Sequence, residues 1–214
     1  MSLDELKNEL VSELNASPSP LNPTRLVLLW ALFSYALVIA LILVTGPLRP
    51  GWFEQLVTSP RFLIEFALGL SISPVAIYFA VVLNRPEEGH WQDRRLFVPF
   101  GLAGAVVLLV LLSIGSPLFQ VSDIGYRTHC LSQTVGFTVP PMILWLVLAR
   151  GGYSIRPTLS GLLLGLASAS PPAVAMHIAC KYDPLHMLLF HFVPACGLSV
   201  LCSIVFWVLR RKTY

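Results

Sequence analysis

Six apolar blocks, each of about 20 residues, constrain this chain more than any other feature. They run over Leu26–Val44, Phe62–Leu83, Leu96–Ile114, Leu131–Leu148, Thr158–Ile178 and Leu185–Leu209, with proline, glycine or charge in every gap. A helix rises about 1.5 Å per residue, so each block can cross the roughly 30 Å of hydrocarbon in a bilayer. Hydrophobic residues make up 56% of the 214 and charged residues 12%. One water-soluble core of this size cannot hide that much apolar surface. The sequence thus predicts an all-α fold: a polytopic membrane helix bundle with six transmembrane helices over residues 26–214, led by a polar segment over residues 1–25.

The first block reads as an uncleaved span, because four acids precede it and no small-residue cleavage site comes after it. An even number of spans puts both termini on one side. With that side inside, ten basic residues are cytoplasmic and four, Arg49, Arg61, Arg127 and Lys181, are outside. The positive-inside rule therefore predicts that both termini are cytoplasmic. The +3 net charge reports this topology, and no basic cluster suited to direct nucleic-acid binding is present.

Within the blocks, Gly161, Gly165, Ala169 and Ala173 recur every four residues. This small-residue face lets another helix approach closely, and it is the face through which a homodimer is expected. Pro74, Pro140, Pro141, Pro171, Pro172 and Pro194 lie in or near spans, where each removes a backbone donor and tends to kink its helix. No Asp, Lys or Arg falls near the middle of a block, which counts against ion-coupled transport. Glu65, one turn into the second block, can pair with Arg61 at i, i+4. No nucleophile–base pair or two-carboxylate arrangement supports an enzyme, and no motif calls for a cofactor.

Four cysteines fall into two sets. Cys196 and Cys202 are six residues apart in one block, about 9 Å along a helix and on different sides of it, so they cannot bridge. They read as small hydrophobes. Cys130 and Cys180 both fall at the outer ends of blocks, with His129, His177, His186 and His191 nearby. A helical His177 would share a face with Cys180. Three readings stay open: a structural disulfide, a switchable redox pair, or a soft-metal site drawn from His129, Cys130, His177 and Cys180. No CxxC or HxxxH spacing is present, so a metal site would rest on tertiary proximity alone.

Residues 2–14 carry a capping box at Ser2 and Glu5 and an apolar stripe of Leu3, Leu6, Leu10, Val11 and Leu14. The opposite face is acidic, through Asp4, Glu5, Glu9 and Glu13, whereas a membrane-surface helix would normally be basic. A helix this short is marginal in water and is expected to fold on a partner with an apolar groove and a positive rim. The proline-rich run Ser17–Pro23 then forms a stiff tether.

These residues, in this order, resemble a known family. The acidic N-terminal helix, the "PSPLNPTR" tether, "SPRFLIE", the outer Cys130, "RPTLSGLLLGL", Cys180, "LLFHFVP" and the closing "LRRK" are similar to the NrsF-type membrane anti-sigma factors, the negative regulators of sigma-F. They are also similar to the related membrane anti-sigma factors of light-induced carotenoid synthesis in myxobacteria. The resemblance covers nearly the whole chain. It implies a bacterial inner-membrane protein that holds an extracytoplasmic-function sigma factor and releases it under oxidative, metal or light stress. It implies that Leu3, Asp4, Leu6 and Leu10 contact the sigma factor, and that Cys130 and Cys180, with His191 of the aromatic-His-x-x-Pro stretch, sense the signal. The tryptophan often found before that histidine is Phe190 here. The rival expectation is a small transporter or metal exporter with an outer His/Cys mouth.

Overall fold

The computed structural model describes residues 23–82, 97–112, 114, 125, 127–148 and 156–211. Helices occupy all of the six predicted blocks: α1 (Pro23–Thr45), α3 (Pro60–Val82), α4 (Val98–Leu111), α5 (Cys130–Leu148), α6 (Pro157–Ala179), and a last rod. That rod is α7 (Pro184–Met187), a π-helical turn (Leu188–Phe192) and α8 (Val193–Arg211). A seven-residue helix that the sequence did not predict, α2 (Trp52–Thr58), caps the α1–α3 connection. No strand occurs among the described residues.

Among the described residues, four helices are long and apolar enough to cross a membrane: Thr24–Thr45, Pro60–Val81, Pro157–Ala179 and Pro184–Val208. The third block is shorter than predicted, with α4 spanning 14 residues, or about 21 Å, before a turn at Leu112. Large apolar side chains such as Leu32, Phe33, Ile64, Ile143, Val200 and Ile204 point outward. The buried positions instead hold many small and hydroxyl residues.

Helix α6 is the centre. Of its apolar window 89% is buried, against 28% for α1, and it packs most extensively on α8 and α3. Its small residues are the cause. A Cβ added to Gly161 would lie 2.7 Å from the Cys202 carbonyl oxygen, and one on Gly165 would collide with the Ser199 Cα. The two backbones therefore touch, as a small-residue stripe permits. This corrects the expected homodimer contact: the glycine face is covered by α8 of the same chain, so a homodimer would need another surface.

The prolines join helices as much as they bend them. Pro74 leaves the Leu70 carbonyl without its helical donor, and the Tyr35 hydroxyl of α1 donates to that oxygen at 2.7 Å. Pro171 does the same to Ala167, whose carbonyl accepts from Ser73 of α3 at 2.8 Å. Trp30 donates from Nε1 to the Pro141 carbonyl at 3.0 Å. Where water is scarce, the carbonyls freed by Pro74 and Pro171 need side-chain donors. The carbonyls at Leu70 and Ala167 thus serve as interhelical attachment points.

Replacing Gly165 with Leu should drive α6 and α8 apart, at a cost of about 1–3 kcal/mol or more. The matched change Gly101→Leu, where an added Cβ meets nothing within 4 Å, should leave the melting temperature in detergent nearly unchanged.

Candidate functional site

Four ligand-bearing side chains converge at the end of the bundle where α5 begins and α6 ends. One ligand atom from each of Cys130, Cys180, His186 and His191 lies within 4.8 Å of the other three. Their exposures are 2%, 0%, 7% and 0%. Both thiols are free. The Cys180 Sγ and His186 Nε2 stand 3.1 Å apart, and the Cys130 Sγ donates to the Arg127 carbonyl at 3.2 Å. Thr134 donates to the Cys130 carbonyl at 2.8 Å and anchors the first turn of α5.

Local backbone geometry explains the convergence. Helix α6 stops at Ala179 and Cys180 is extended (φ −108°, ψ 171°), so its thiol leaves the helix and turns toward α7. The Asp183 side chain caps α7 by accepting from the Leu185 N–H at 3.0 Å. The π turn then admits one extra residue, so His186 and His191, five apart, stand roughly as residues four apart do in a regular helix. Their ring centroids are 5.3 Å apart. Pro194, which cannot donate to the Phe190 carbonyl, comes directly after this wide turn.

The structure brings Cys130, Cys180 and His191 together. It does not bring His129 or His177 to them. His129 is exposed and lines a cavity of about 280 Å³ with Arg127 and Gln133. His177 is buried elsewhere, with Nδ1 3.2 Å from the Ala173 carbonyl and its ring 5.7 Å from Phe192. The shared helical face expected of His177 and Cys180 is lost because the helix ends between them. His186, absent from the expected set, takes their place. The sequence signal for it, a HxxxxH spacing, reads as one face only if the π turn is known. Cys196 and Cys202 are both free, and Cys202 packs against the Met142 sulfur at 3.0 Å.

A polar network adjoins this cluster. Arg49 is 4% exposed, its guanidinium carbon 5.6 Å from the Phe62 ring and 5.5 Å from the Tyr182 ring. Its backbone N–H donates to Ile178 at 3.0 Å. Tyr182, two residues past Cys180, donates to Glu65 at 2.7 Å, and Arg61 donates to the other Glu65 oxygen at 2.9 Å. The predicted Arg61–Glu65 pair is thus present, and Arg61 also reaches the Leu109 carbonyl of α4. Burial, and then the Glu65 charge, push the Tyr182 phenol above its ordinary pKa, which keeps it a donor. Leu3, Asp4, Leu6 and Leu10 lie outside the described residues.

A family model described as "NrsF: Negative regulator of sigma F" matches residues 10–211. The chain belongs to the NrsF family. No curated protein and no solved structure matches it. As an NrsF-family member it is a negative regulator whose partner is a sigma factor. The four His and Cys side chains are buried.

Tyr182→Phe removes one of the two side chains bound to the buried Glu65 carboxylate. We expect a loss of about 1–3 kcal/mol, read as a lower melting temperature in detergent. Phe53→Ala, at an exposed position on α2, is the control and should change little.

Proposed function

We propose that this NrsF-family protein is a bacterial inner-membrane anti-sigma factor for an extracytoplasmic-function sigma factor. Residues 1–25 supply the sigma-binding helix and its tether. Residues 26–214 form a six-span sensor domain with both termini in the cytoplasm, and a stress signal on the outer side releases the sigma factor. The observation that carries this reading is the family match over residues 10–211. The apolar helices and their outward-facing large side chains are compatible with a membrane.

The sigma contact is assigned to the acidic amphipathic segment through Leu3, Asp4, Leu6 and Leu10, the last of which lies within the matched span. The signal is assigned to Cys130, Cys180 and His191. These side chains come from three different elements: the start of α5, the end of α6 and the π turn. A chemical change there alters how α5 and the last rod pack on the central α6. Such a two-state bias needs only a few kcal/mol of differential stability.

The test is a pull-down of the detergent-solubilised full-length protein, and of a form lacking residues 1–14, from its own cell extract. A sigma factor should co-purify with the full-length chain and fall to background with the truncated one. Equal retention by both forms would overturn the assigned contact, and no sigma factor with either would overturn the anti-sigma reading.

A further inference from the structure

We propose that Cys130, Cys180, His186 and His191 form a binding site for one zinc-like divalent cation, held tetrahedrally by two thiolates and two imidazoles. The proposal deepens the reading above, because it names the class of ligand acting at the sensing residues.

Geometry comes first. In a tetrahedral site with metal–ligand bonds of about 2.0–2.3 Å, neighbouring ligand atoms stand about 3.3–3.8 Å apart. All four candidate atoms already lie within 4.8 Å of one another, and Cys180 Sγ and His186 Nε2 are 3.1 Å apart. Rotamer adjustments of under about 1 Å would close the shell.

The second argument is polar satisfaction. His191 is 0% exposed, and neither ring nitrogen makes a well-formed hydrogen bond among the described residues; the group near enough to act on the ring is the Cys180 thiol, itself a member of the cluster. A buried polar group without a partner costs about 1–3 kcal/mol, so its presence wants a reason. Ligation to a cation supplies one. The π turn points the same way, since it places both histidines on the cluster's side and such turns recur at functional sites.

Charge decides the kind of ion. Two thiolates and two neutral imidazoles around a divalent cation sum to zero, the arrangement that burial tolerates best. Binding releases the two thiol protons to solvent. The S2N2 donor set favours zinc-like ions over magnesium or calcium, which prefer oxygen. The 280 Å³ cavity, lined by His129 and Ala179, each one residue from a cluster cysteine, adjoins the site. The bond from the Cys130 thiol to the Arg127 carbonyl is given up when that proton leaves, which frees the sulfur for the cation.

The experiment is a Co2+ titration of the reduced full-length protein in detergent, followed by displacement with Zn2+. Saturation at one equivalent, with the intense visible bands of tetrahedral thiolate-bound Co2+ that Zn2+ bleaches, is the expected result. His186→Gln and His191→Gln should each weaken binding by about 100-fold or more, whereas His129→Gln and His177→Gln should not. Pale six-coordinate spectra, no saturation in the wild-type chain, or full affinity in His186→Gln and His191→Gln would overturn the site. The wild-type spectrum needs no variant to fold. Sigma pull-down from the same sample separates the two readings. A retained sigma factor without Co2+ binding sinks the metal site and leaves the anti-sigma function standing. Tight Co2+ binding whose Zn2+ counterpart leaves sigma retention unchanged keeps the site and removes its signalling role.

Discussion

The contact of α6 with α8 at Gly161 and Gly165 is the constraint on which the rest of the bundle depends. Two helix backbones meet there with no side chain between them. Among apolar helices, association comes from packing and interhelical hydrogen bonds rather than from water exclusion, so close approach is the main source of attraction. Once α8 lies against one side of α6, the other sides take α3, α5 and α1. Gly69 on α3 extends the principle: a Cβ there would overlap the Val174 side chain of α6.

This arrangement has a consequence for the thiols. The central helix ends at Ala179, inside a ring formed by the starts of α3, α5 and the last rod. Cys180 is therefore delivered to the one place where Cys130, His186 and His191 can meet it. Two residues on, Tyr182 binds Glu65 of α3, and Arg49 packs against both the Phe62 and Tyr182 rings, which meet edge to face. The loop from Cys180 to Asp183 is tied at both its thiol and its phenol. A change in the bonding of Cys180 thus acts on a segment whose neighbours belong to α3, α5 and the π turn, which is the physical basis of the sensing role proposed for the cluster.

Much of the architecture was legible in the residues. Block length placed every long helix, because hydrocarbon thickness and helical rise leave few choices. The four-residue repeat of small side chains marked the close-packed face of α6, and i, i+4 spacing gave the Arg61–Glu65 pair. Cys130 and Cys180 could be paired from their places at the ends of blocks that the alternation of spans puts on one side. Their histidine partners could not. His129 and His177 are nearest in sequence, but the helix end at Ala179 and the exposure of the α5 entry turn them away.

By itself the sequence determined the helical class, the positions of the long helices and, through its family pattern, the regulatory role, since these depend on hydrophobic period and residue order. Tertiary structure alone decided which helix is central and what covers the glycine face. It also decided that the carbonyls freed by Pro74 and Pro171 are bound by neighbouring helices. Above all it decided that His186 joins the cluster. One extra residue in the turn at Leu188–Phe192 rotates the residues before it relative to those after it, and an i→i+5 backbone bond leaves no mark in a sequence read at 3.6 residues per turn.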